Sequence, residues 1–174
     1  DTAGTLGLTD GEIDTITTTG QLTVGDGAHT GDIAVSAGVN PANVGDLRLL
    51  TTGTVSGAGA ITAVTSLDVS AGTGINLSGG NEATGVTLSN STAGNVSYDY
   101  ATVAPTVTGS NAAAGGTLTV AAQAGAGVLT VGGGGLSTRN GVLTLIADYM
   151  VIGGTGDAGN GKVSRRREGR ARQN

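Results

Sequence analysis

The residues of this chain that could do chemistry are few and widely spaced. His29 is the only histidine, set in GDGAHTG with Asp26 and Asp32 on either side, an arrangement that could hold a metal ion or move a proton. No second histidine and no cysteine is present to complete a ligand set, so the expectation for His29 is a solvated loop position. Arg48 and Arg139 are the only cations before residue 162. A polysaccharide-cleaving site would need such a cation beside clustered acids, and here the two arginines are far apart and the acids are scattered. This weighs against an enzyme, although residues far apart in sequence can still stack in a solenoid.

Three glycine-rich patterns imitate phosphate or calcium sites. GTGDAG at 154–159 fits G-x-G-x-x-G, but that motif works by opening a helix whose amides face a pyrophosphate. The residues after it are few, basic and polar, with no apolar helical stripe and no acid about twenty residues on. Gly156 and Gly161-Lys162 have the spacing of a phosphate loop, yet Val163 stands where a magnesium-binding Ser or Thr belongs. GGTGDAGNG is similar to a calcium-binding nonapeptide, with its aspartate one residue early and no second copy. All three are read as corners. No catalytic residue, no cofactor site and no metal site is predicted.

Other polar and aromatic residues have surface readings. Tyr98, Tyr100 and Tyr149 are the only aromatics, and any that lies outside is the best candidate for contact with a glycan or protein partner. Core or edge-covering is the competing role for each. Asn76, Asn90 and Asn95 fit the glycosylation pattern and are read as polar strand and corner residues. Thr-x-Thr pairs at 15/17, 17/19, 106/108 and 117/119 could order water on a flat face. They do not recur at one visible period and are read as strand propensity.

Composition narrows the kind of scaffold that can carry these residues. The chain of 174 residues has 34 Gly, no Phe, Trp or Cys, one Met and three Tyr. A wide core packed to crystalline density needs bulky side chains. A narrow core can be filled by ladders of Val, Ile and Leu. Hydrophobic residues make up 37% of the chain and mean hydropathy is +0.12, too apolar for a disordered tract. Glycine costs about 1 kcal/mol per helical position relative to Ala, which argues against helix. The prediction is all-β.

Strands are expected at 13–19, 22–24, 33–37, 47–50 and 54–55, with a turn at 39–45 around Pro41. Residues 61–71 are expected as one long strand, with Ile61, Ala63, Thr65, Leu67, Val69 and Ala71 on its inner face. A spacing then sets in. Ile75, Val86, Val96, Val107, Leu118 and Leu129 each open an apolar run, at steps of 11, 10, 11, 11 and 11 residues. Fixed short periods signal stacked repeats, and two or three strands would complete a coil of roughly 20 to 30 residues. That gives on the order of six to eight coils, stacked at about 4.8 Å. An antiparallel sandwich has the same strand frequency. The scarcity of aromatics and of two-residue hairpin signals favours the solenoid.

The stretches from 60 to 98 and from 127 to 163, with their GVTLSN, GVLTV and GVLTLIADYMVIGG rhythm, resemble the repeats of filamentous haemagglutinin-like exoproteins. The resemblance covers about residues 46–163. It implies a right-handed parallel β-helix with short strands and Gly-rich corners. It further implies a role in adhesion or biofilm as part of a secreted fibre on the Gram-negative cell surface. The family's secretion domain is not visible here, and the segment reads as internal to a longer protein.

Residues 1–163 are therefore expected as a β-solenoid segment, and 164–174 as a basic tail outside the fold. The body to residue 161 carries a net charge of −10 and residues 162–174 one of +5, which makes a poor nucleic-acid binder of the body. No apolar run reaches membrane-spanning length, so no membrane insertion by this segment is expected. The expected partners are a host or bacterial surface glycan or protein, and further copies through the solenoid ends, where strand edges are unpaired.

Overall fold

A computed structural model describes residues 9–102, 104–123 and 127–166. In chain order the elements are α1 (Asp10–Ile13), β1 (Thr18–Gly25), β2 (Ile33–Ala34), β3 (Val44–Leu50), β4 (Val55–Gly57), β5 (Ser66–Ala71), β6 (Ile75–Asn81) and β7 (Gly85–Asn90). Next come β8 (Val96–Tyr100), β9 (Thr106–Ala114), β10 (Leu118–Ala122), β11 (Leu129–Arg139), β12 (Val142–Ile146), β13 (Met150–Ile152), β14 (Gly156–Asp157) and β15 (Lys162–Arg166). The chain is a parallel β-solenoid of about seven turns with almost no helix.

Successive strands alternate between two sheets. One runs β1-β3-β5-β7-β9-β11-β13, with β14 also on β11; the other runs β2-β4-β6-β8-β10-β12-β15. Two strands therefore make one coil. The predicted 10- and 11-residue steps are half-coils. On the second sheet Ile33, Val55, Ile75, Val96, Leu118, Leu143 and Val163 stack in one column, at steps of 22, 20, 21, 22, 25 and 20 residues. On the first sheet Leu22, Leu47, Leu67, Val86, Val107, Val131 and Ile152 do the same. The 25-residue step has local causes. In β11 the bulge at Gly132–Gly135 puts Leu136 opposite Gly109 and adds three residues, two of which are offset where Thr138 and Arg139 face Asn111 and Ala114; the other two extra residues of that step fall between Leu118 and Val131.

Columns of this kind explain the composition. The two sheets face each other across a thin core in which Leu67, Leu77, Leu88, Val96, Leu118 and Leu143 are all fully buried. Removing such a side chain from water stabilises the fold by about 1.5–3 kcal/mol each. Glycine is needed where the chain turns a corner against the coil beneath. Gly94 has φ +83°, and a Cβ there would collide with the Thr73 carbonyl oxygen.

Toward the ends of β5, β7, β9 and β11, a column of Ala71, Asn90, Asn111 and Thr138 turns inward. Asn90 Nδ2 donates to Asn111 Oδ1 at 2.9 Å and to the Ala93 carbonyl at 2.7 Å. Asn111 Nδ2 donates in turn to the carbonyls of Thr117 and Gly94, at 2.8 and 3.1 Å. Corner carbonyls cannot join a strand ladder, and these buried amides satisfy them.

Three predicted boundaries move. Residues 13–19 are not one strand. Thr9 and Glu12 form a capping box, Thr9 N donating to Glu12 Oε2 at 2.8 Å, which winds α1 before β1 begins at Thr18. The alternation at 61–71 is interrupted by a corner. Ala63 adopts φ 60° and is exposed with Thr65, while Val64 is buried; Ile61, Leu67, Val69 and Ala71 face the core as expected. The solenoid also runs past residue 163. Ser164, Arg165 and Arg166 lie in β15 opposite Thr144, Leu145 and Ile146. The remainder of the expected tail and the first eight residues lie outside the described residues.

Candidate functional site

His29 sits in an exposed turn that its neighbours build for backbone reasons. Asp26 Oδ1 accepts from the amides of Ala28 and His29, both at 2.7 Å, an Asx turn. Asp32 Oδ1 accepts from the Thr54 amide of the next coil at 2.8 Å. Each flanking aspartate thus has a structural use, and among the described residues no group of three or more His, Cys, Asp or Glu could hold a metal ion.

Arg48 and Arg139 are not brought together. Arg48 lies on the outer face of β3, its Nε 3.2 Å from Asp68 Oδ2 on β5. Both side chains are partly solvated, so the pair contributes little to stability. Arg139 ends β11, exposed, opposite Ala114. The GTGDAG stretch holds the two-residue strand β14 and a turn in which Asp157 Oδ1 accepts from the Gly159 amide at 2.8 Å. The next element is strand β15, so no helix N-terminus adjoins those glycines.

The three tyrosines separate. Tyr98 and Tyr100 are fully buried on β8, and as surface contacts both are corrected by the structure. Tyr98 stands in a core column between Leu77 and Val120 because the alternation of β8 turns it inward. Burial pushes its hydroxyl far above the usual phenol range. Tyr100 OH donates to the Gly127 carbonyl at 3.3 Å. Tyr149 is 59% exposed beside β13.

Of the three asparagines in glycosylation patterns, Asn90 is buried in the corner column, while Asn76 and Asn95 are exposed. Asn95 Oδ1 accepts from the Thr117 amide at 3.0 Å.

The outer faces hold rows that sequence reading misses. Thr87 stacks on Thr108 and Thr106 on Thr130, each over one coil step, while no Thr-x-Thr pair stacks on another such pair, as expected. Ser70, Ser89, Ser110, Ser137 and Asp157 form a neighbouring outer row. The second sheet presents Ser56, Asn76, Ser97, Thr119, Thr144 and Ser164 in one file. A search at half-coil steps conceals these rows. Pairing residues a full coil apart, with allowance for the three-residue bulge in β11, would find them.

Asp99, outward on β8, pairs across the sheet with Ala121. Partial burial raises its carboxyl above the usual range. No protein-family model matches the chain, and no curated protein or solved structure matches it. No helix among the described residues is long and apolar enough to cross a membrane.

Proposed function

We propose that this chain is a structural and adhesive segment of a secreted fibre on a Gram-negative bacterial surface, acting by presentation and length without catalysis. The observation that carries this reading is the unbroken parallel pairing of both sheets, from β1 and β2 to β13 and β15. Each backbone ladder is parallel to the next and the inner columns are largely aliphatic, so the coils form a stiff stack. Its outer faces are rows of short Ser, Thr and Asn side chains, which suit repeated weak contacts with a glycan or protein surface. Tyr149 adds one exposed aromatic ring with a polar end.

The test is adhesion. Beads coated with the purified chain should bind a glycan array or a host or bacterial cell layer above the level of albumin-coated beads, and Tyr149→Ala should weaken any site that uses the ring. Binding no better than albumin across all surfaces would remove the adhesive half of the reading. A second reading, a self-assembling extracellular scaffold, is favoured by the unpaired strand edges at both ends among the described residues. A polysaccharide-active enzyme is the third. Release of reducing sugar, lost in Arg48→Ala or Arg139→Ala, would establish it and displace the other two.

A further inference from the structure

The two ends of the stack match each other in the register that the coils themselves use. Extending the second-sheet columns by one step past β15 returns to the position of β2. Val163 would then sit on Ile33 of the next coil, and Lys162 on the residue before it, Asp32. The same step on the first sheet places Ile152 on Leu22. These four apolar residues are partly uncovered. Val163 is 39% and Ile152 37% exposed, and Leu22 and Ile33 are half-buried, whereas their counterparts in the middle coils are fully buried.

Charge supports the same pairing. No cation precedes Arg48, and the first coil carries Asp10, Glu12, Asp14, Asp26 and Asp32. At the other end β15 has Lys162, Arg165 and Arg166 within five residues. Asp32 uses one carboxylate oxygen on Thr54 and is exposed, as is Lys162.

We infer that a second copy of this chain docks head to tail, its β1–β2 end on the β13–β15 end of the first, with Lys162 paired to Asp32 and Val163 to Ile33. The contact is heterologous, so it extends into a polar filament and does not close into a dimer. This deepens the scaffold reading and rests on it, while adhesion by a single copy is independent of it. Arg165 opposes the contact. It continues the column of Leu77, Tyr98, Val120 and Leu145, so its guanidinium would enter the core over Val35 of the next copy. An inward charge on an edge strand is a device that resists strand addition. The association is therefore weak, reversible and sensitive to salt.

Sedimentation velocity of the full chain tests this. At low salt the weight-average mass should rise with concentration beyond two copies, and it should fall when salt reaches about 0.5 M, where charges are screened within a few ångströms. Lys162→Asp should abolish growth, and a small fraction of it mixed with the unaltered chain should shorten the assemblies, since it still offers a functional β1–β2 end. Asp32→Lys should also fail alone, and an equal mixture of the two variants should assemble again. Arg165→Leu should lower the concentration needed for growth by roughly tenfold, the effect of about 1.4 kcal/mol. A chain monomeric at every concentration, growth that stops at two copies, or Lys162→Asp assembling like the unaltered chain would each overturn the inference. Because the terminator experiment needs only an exposed substitution at Lys162, it decides the matter even if Asp32→Lys fails to fold. Bead adhesion by a chain that stays monomeric would leave the adhesive reading standing.

Discussion

The middle coils and the end coils are built from the same columns and differ in what covers them. Leu67, Val86 and Val107 on β5, β7 and β9 are sandwiched between neighbours and buried, while Leu22 and Ile152, in the same column on β1 and β13, have a neighbour on one side only. In a stack where each repeat touches only the next, stability is a sum of repeat and interface terms. The position of a residue along the axis then matters as much as its type. The ends are where stability is lowest and where a partner can gain most.

That comparison can be broken by substitution. Leu88→Ala, in the middle, removes a fully buried side chain from a core too thin to collapse around it, and should cost about 2–5 kcal/mol in denaturant unfolding. Leu22→Ala, of identical chemistry, should cost less than half as much, because its site is half solvated and has one stacked neighbour. Equal losses at both positions would mean that the ends are as well packed as the middle. Next in size is Asn111→Ala. It leaves the Asn90 amide and the Thr117 and Gly94 carbonyls without these bonds, an expected loss of about 1–3 kcal/mol. Hydrogen exchange should show the amides of β7 and β8 protected most and those of β2 least.

The smallest effect is a pH dependence. Burial raises the Asp99 carboxyl in the fold, so the folded chain holds that proton more tightly than the unfolded chain. Its contribution favours folding at low pH and is lost as pH rises through the interval between the ordinary carboxylate value and the raised one. Asp99→Asn should therefore raise the melting temperature slightly at neutral pH and leave it unchanged in acid. A destabilisation at neutral pH would show that the carboxylate has a partner that favours its charge.

Much of the architecture is legible from residue types. Absent Phe and Trp with abundant Val, Leu and Gly imply a thin core, and the steps from Ile75 to Leu129 mark the half-coils. The number of strands per coil is not legible, because a step of 10 or 11 residues fits a coil of either two or three strands. Inner and outer faces are misread where geometry overrides alternation. Ala63 looks like a strand residue and instead takes a left-handed corner conformation, which moves Val64 into the core. The tyrosines show the same limit. Alternation along β8 directs both Tyr98 and Tyr100 inward, but only knowing that β8 is a middle strand of its sheet shows that both will be covered. Arg165 reads as part of the basic tail because charge masks a strand pattern, although its backbone continues the ladder of β12.

The most direct test of the two-strand coil uses the file from Ser56 to Ser164. The chain has no cysteine, so paired cysteines introduced at solvated positions can be spin-labelled without side reactions. Ser56 and Thr144 are four coils apart and Ser56 and Ser164 five, through Asn76, Ser97 and Thr119. At about 4.8 Å per coil, electron–electron resonance should give distances near roughly 19 Å and 24 Å, growing by one strand spacing between the pairs. Distances that fail to grow with coil number, or that match the longer and irregular spans of an antiparallel sandwich, would contradict the solenoid.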